Sequence, residues 1–203
     1  MTPTAILAYV ERWLNNKLSG REPALTAALK NTAGAGAVNG ATVSAVEYGD
    51  GTIHKTVLTL AATPISVVGA TGIGFGGTKV YDFPAGRILI LGVTASLAFP
   101  IISTEGDLAA TADGDWAMGT TSEEDGSMDR ATDINLIPKT ATAANALGTA
   151  TNAALAASAH IDGTGTAVDA YVNLTIDDAE TNETSILGAT GTVTITWVNL
   201  GDY

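Results

Sequence analysis

The sequence predicts a mainly β protein: a single β-sandwich, jelly-roll-like domain over residues 42–203, preceded by an N-terminal helical arm and a Gly/Ala hinge over residues 1–41. Three observations carry this reading. From Thr42 onward, apolar and polar residues alternate at period two in roughly eight short runs, the spacing of half-buried strands. Turn residues separate those runs and no long helical pattern intervenes, which suits a sandwich or barrel, here a jelly roll. Before Thr42 the period is helical and the charge changes sign: Arg12, Lys17, Arg21 and Lys30 stand against Glu11 and Glu22, a net of +2, whereas the remainder carries −14.

The arm begins at Thr2-Pro3, an N-cap and a first helical residue, and stops at Gly20. Between them Ile6, Leu7, Val10, Trp13, Leu14 and Leu18 recur at helical spacing, opposite Glu11, Arg12, Asn15 and Asn16. A second short helix is expected over 22–30, with Pro23 near its first turn, followed by the hinge TAGAGAVNGAT over 32–42. Such a helix either packs on its own domain's sheet or docks on a neighbouring subunit. The hinge and the charge contrast favour docking, which makes Ile6, Val10, Trp13 and Leu14 the candidate partner-binding residues.

Residues 43–48 and 52–60 read as a hairpin around Gly49-Asp50-Gly51, since Asp-Gly accepts the positive φ of a tight turn. Residues 65–68 form another short strand, and 79–83 lead into a central strand over 87–99, RILILGVTASLAF. At strict period two, Leu89, Leu91, Val93, Ala95, Leu97 and Phe99 make one wholly apolar face. Shorter strands are expected over 116–120 and 134–137, inside an acidic stretch. Residues 140–159, nearly all Ala, Thr and Asn, leave helix and ordered loop both open. The end is clearer: Val168, Ala170, Val172, Leu174 and Ile176 alternate with polar neighbours, as do Val193, Ile195 and Trp197 with threonines.

Composition narrows the chemistry. Without cysteine there are no disulfides, thiolate metal sites or thiol nucleophiles. A formal charge of −12 opposes a sequence-independent grip on nucleic acid. Mean hydropathy is positive, yet no charge-free run offers about 20 predominantly apolar residues free of Pro and Gly, so neither a spanning helix nor a signal peptide is expected.

The motif-like stretches fall short of their chemistry. Residues 72–77, GIGFGG, satisfy GxGxxG, but TKVYDFPAG follows where a phosphate-binding helix should begin, so a glycine-rich loop is expected. Asp113, Asp115 and Glu124 stand at positions 1, 3 and 12 of an EF-hand-like loop, with Met118 where glycine is needed and Ala117 lacking an oxygen; a solvated acidic loop is the better reading. Ser158, His160 and Asp162 lack a nucleophile elbow, and Glu123, Glu124 and Asp125 are merely adjacent in sequence. No catalytic, cofactor-binding or metal-binding residue is expected.

Four stretches, VEYGDGTIHKTVLTL (46–60), KVYDFPAGRILILGVTASL (79–97), IDGTGTAVDAYVNLTIDDAE (161–180) and GTVTITWVNLGDY (191–203), resemble a group of tailed-bacteriophage virion proteins, in part head decoration (cement) proteins. The resemblance covers most of 43–203, is strongest over the last thirteen residues and is weakest in the arm and over 109–159. It implies a non-enzymatic jelly-roll subunit on the capsid exterior, bound to the major capsid protein in many copies. A homo-oligomer, a trimer foremost, would raise its avidity. The rival expectations are a carbohydrate-binding or host-recognition module of a head or tail fibre, and a shell or tail-tube building block; only 11 aromatic residues are present to serve the first.

Overall fold

The computed structural model describes residues 36–38, 40–49, 53–70, 73–103, 108, 112–144, 146–155, 157, 159–177 and 185–201. The expected helices over 2–20 and 22–30, and with them Ile6, Val10, Trp13 and Leu14, lie outside the described residues. Every element described is a strand: β1 (Ala37–Val38), β2 (Val43–Gly49), β3 (Ile53–Ala70), β4 (Ile73–Asp82), β5 (Gly86–Ala98), β6 (Asp113–Gly119), β7 (Ile137–Ala141), β8 (Thr151–Ala154), β9 (Ala159–Gly163), β10 (Asp169–Asp177) and β11 (Ser185–Asn199). They pair antiparallel in one hydrogen-bonded path, β7-β6-β10-β4-β3-β11-β5-β8, with β1 added to β4, β2 to β3 and β9 to β5. The path curls into a half-barrel.

The bend is built into β3. Leu58 and Leu60 face inward, then Ile65 and Val67 do, so the buried parity flips between them. At the flip Ala61 and Ala62 oppose Thr190 alone, a bulge that places Ala62 at φ 54° and lets its N–H donate to the Thr190 hydroxyl. Before the bulge β3 pairs with β2, and after it with β4, while β11 follows it throughout. The separately expected strand over 65–68 is therefore the second half of β3. The spine of the sheet is β11, flanked by β3 on one side and β5 on the other.

A second bulge corrects the reading of 87–99. Gly92 pairs with Thr196 and Ile90 with Trp197, which leaves Leu91 as the extra residue, exposed at 45%. Ile88 and Ile90 are buried on one parity, and Val93, Ala95 and Leu97 on the other. The wholly apolar face of strict alternation is thus two half-faces joined at a bulge.

The core fills the inside of the curl. Trp116, Trp197, Tyr81, Phe83 and Phe99 are its largest fully buried side chains. Phe83 meets Trp197 edge-on at 5.6 Å and Tyr81 at 5.2 Å. β10 departs from its expected half-burial, because Asn173 and Thr175 on its polar side are also buried. Within 140–159 the structure resolves the open alternative as turns around the short strand β8.

Candidate functional site

Inside the half-barrel the alternation of β2 and β3 turns three polar residues inward, Glu47 beside Val43 and Ala45, and His54 and Thr56 beside Leu58 and Leu60. They meet as one network. The Trp197 indole N–H donates to Thr56 Oγ1 (2.9 Å), and the Thr56 hydroxyl donates to Glu47 Oε2 (2.7 Å). His54 Nδ1 lies 3.0 Å from Glu47 Oε1, and its ring stacks on Trp197 at 4.0 Å. Tyr81 Oη accepts the Gly36 N–H (2.9 Å) and reaches Glu47 Oε2 at 3.5 Å. Burial above all, and the Glu47 charge, push the Tyr81 phenol up to about 12.

A buried carboxylate is costly unless hydrogen bonds satisfy it, and here donors from β3 and β4 converge on one from β2, with β11 behind them. Glu47, His54 and Thr56 have the composition of a catalytic triad but not its order. The Thr56 proton points at Glu47 rather than at an imidazole nitrogen. What the arrangement does is fasten four strands and the start of β1 at one point. At Gly36 a Cβ would strike the Asp82 carbonyl oxygen and the Tyr81 ring, so only glycine lets the chain enter β1 so close to Tyr81.

The acidic stretch is organised rather than merely solvated, which corrects the sequence reading. Asp113 and Asp115 lie in β6, not in a loop, and Lys139 pairs with Asp115 at 3.1 Å. Residues 120–136 fold over the outer side of β10 and are held by Asn173. Its Oδ1 accepts the Glu123 N–H (3.0 Å), and its Nδ2 donates to the Thr121 and Asp133 carbonyls (both 2.9 Å). Glu123 Oε1 accepts the Asp125 and Gly126 N–H groups, and the buried Asp133 carboxylate accepts from Thr121 and Arg130. Among the described residues no cluster of three or more acidic or His side chains is arranged to hold a metal ion.

From Ile73 onward the GxGxxG stretch is likewise strand, not loop: Gly74, Gly76 and Gly77 pair with β10 inside β4. A Cβ on Gly76 would run into the Ser66 carbonyl oxygen, and one on Gly77 into Asn173 and Ser122, so close chain approach explains these glycines. At the end of β4, Lys79 lies 2.8 Å from Asp82 and 3.4 Å from Asp169. The two carboxyls are in contact. Burial and then Asp82 raise Asp169, whereas at Asp82 the hydrogen bonds from Asp169 and Lys79 outweigh burial and lower it. His160 and Asp162 share the outer side of β9, with Asp162 bound to the Thr164 N–H and hydroxyl; Ser158 lies outside the described residues.

The outer face of the sheet holds a second, different surface. Ser44, Thr59, Thr192, Ser96 and Asn152 stand in register across β2, β3, β11, β5 and β8. The next outward row is Val46, Val57, Thr194, Thr94 and Ala154. Between β11, β5 and β8 these residues line an open groove of about 510 Å³.

Comparison of the chain with protein-family models, with curated proteins and with solved structures finds no match to any of them. The sequence reading missed the Glu47 network, although its signal was present. In the alternation that buries Leu58 and Leu60, His54 and Thr56 fall on the same side.

Proposed function

We propose that the chain is a non-enzymatic structural subunit of a phage virion, a head decoration protein that binds the major capsid protein on the capsid exterior and stabilises the shell. The jelly-roll kinship, the helical arm of residues 1–41 and a trimeric assembly belong to this proposal. One observation supports it above others. Of the four stretches that carry the resemblance, 46–60, 79–97 and 191–203 supply every side chain of the Glu47 network, and 161–180 supplies β10 beside them. The resemblance therefore follows a folded core rather than scattered surface residues. The acidic body suits a docking arm of opposite charge.

In this reading the protein stabilises the shell by mass action, since it binds the assembled lattice and not the dissociated subunit. Ile6, Val10, Trp13 and Leu14 supply the apolar anchor of the arm, and oligomerisation multiplies its hold. Quantitative mass spectrometry of purified virions tests it. Near one copy, or a simple fraction such as one third, is expected per major capsid subunit. The doubly substituted chain Val10→Asp, Trp13→Asp should remain folded and fail to bind shells. A handful of copies would move the protein to the tail or a fibre, and absence from particles would overturn the proposal.

A further inference from the structure

The five strands β2, β3, β11, β5 and β8 contain a single carboxylate, Glu47, and it points inward. Their outer face is accordingly free of negative charge, on a chain with 21 acidic and 9 basic residues. The cations these strands contain are Lys55 and Arg87. Carboxylates gather elsewhere, along β6, over 120–136 and at the ends of β4 and β10, and the one beside these strands is Asp162 on β9, paired across from Arg87 at the margin of the face. Depletion of charge marks the centre of protein interfaces.

We infer that this outer face is where a second copy of the chain docks. The inference rests on the homo-oligomeric part of the proposed function and gives it a surface, but a face that meets its own copy is isologous and closes as a twofold pair, so the assembly it assigns is a dimer rather than the trimer. Charge decides between occupants. A basic partner would be drawn to the acidic side of the molecule, whereas two copies that each carry −12 repel everywhere except where the carboxylates are missing. The side chains also suit burial. Thr192, Thr194 and Thr196 repeat along β11, and β-branched residues have little rotamer freedom to lose when a partner immobilises them.

The area is sufficient. Four strands about 4.8 Å apart, read over seven residues at about 3.4 Å each, together with the four residues of β8 cover roughly 520 Å² per copy. Two copies then bury about 1,050 Å², just above the roughly 1,000 Å² that a specific interface has to clear.

Sedimentation velocity on the full chain, over a concentration series, tests the assignment. Self-association is expected, and it should tighten with added salt, because screening relieves like-charge repulsion without cutting interfacial ion pairs. Thr194→Arg places a charge at the centre of the face, on a side chain that already points outward. It should keep the wild-type circular dichroism and weaken association by more than about thirtyfold. Glu124→Arg, in the 120–136 segment, should leave association no weaker than wild type. A chain that stays monomeric up to its solubility limit overturns the inference, as does undiminished association of Thr194→Arg. If hydrogen exchange shows the face covered in a monomer, it belongs to the chain's own residues 1–35. If Thr194→Arg lowers virion incorporation of a monomeric chain, it belongs to another virion protein. Either result also overturns self-docking. A dimer in solution that is missing from virions would leave this inference standing and sink the proposed function.

Discussion

Hydrogen-bond donors from two strands converge on the Glu47 carboxylate, so its burial stabilises the curl only while all of them are in place. The pair Asp82 and Asp169 is the opposite case, two carboxyls held together with one lysine between them. Asp169 is raised by burial and by Asp82, so the folded chain holds that proton more tightly than the unfolded chain does. Its favourable contribution is complete below the unfolded carboxyl range and is lost as pH rises through the raised folded value. Asp169→Asn keeps the shape and a donor for Asp82 while removing the second charge. The lost ion pair to Lys79, at 3.4 Å on a partly exposed lysine, is the weaker of its two. The variant should be more stable than wild type by about 0.5 kcal/mol at neutral pH. The gain should shrink toward zero as pH falls below the carboxyl range. Urea midpoints at the two extremes measure it, and a variant less stable at neutral pH would show that the lysine pair dominates.

At the scale of elements, Asn173 joins two parts of the chain that are far apart in sequence. Its three hydrogen bonds hold residues 120–136 against β10, which makes it the clamp between that segment and the sheet. Asn173→Ala should cost about 1–3 kcal/mol, because it leaves the Glu123 N–H and two carbonyls without their partner. The effect should be local. In hydrogen exchange the amides of 120–136 should open at least about tenfold faster while β11 keeps its protection. Uniform loss of protection would mean that the segment and the sheet unfold as one unit. This clamp also marks where the sequence ceased to be legible. The hairpin of β2 and β3, the strand β10 and the second half of β11 were readable, because alternation and turn residues are local. The bulges at Ala62 and Leu91 were not, since one inserted residue reverses every later side chain while leaving composition unchanged. Nor was the burial of Asn173, which depends on a segment some fifty residues away folding over it. In the Glu47 network the inward side of His54 and Thr56 was legible, but the convergence of β4 and β11 on them was not.

For the molecule as a whole, two electrostatic effects compete. Ion pairs made by Lys79, Arg130 and Lys139 favour the fold, and an excess of acidic residues opposes it through self-repulsion. Salt weakens both, so its net effect reveals which is stronger. Exposed pairs of this kind contribute little each, because solvent screens them. Arg130 is the one that also reaches a fully buried carboxylate, Asp133, and that bond is the least screened of the set. The repulsion comes from twelve uncompensated charges on a 203-residue chain, and it is concentrated because β6 and 120–136 hold so many of them. Repulsion therefore outweighs the ion pairs, and moderate salt should stabilise the fold. Measured on Thr194→Arg, so that self-association does not contribute, the urea midpoint should rise from low to moderate sodium chloride. Sodium sulfate is not a substitute, since it also strengthens apolar burial. A midpoint that falls with sodium chloride would mean that the ion pairs prevail over the excess charge, and it would remove the electrostatic reason for a second copy to prefer the carboxylate-free face.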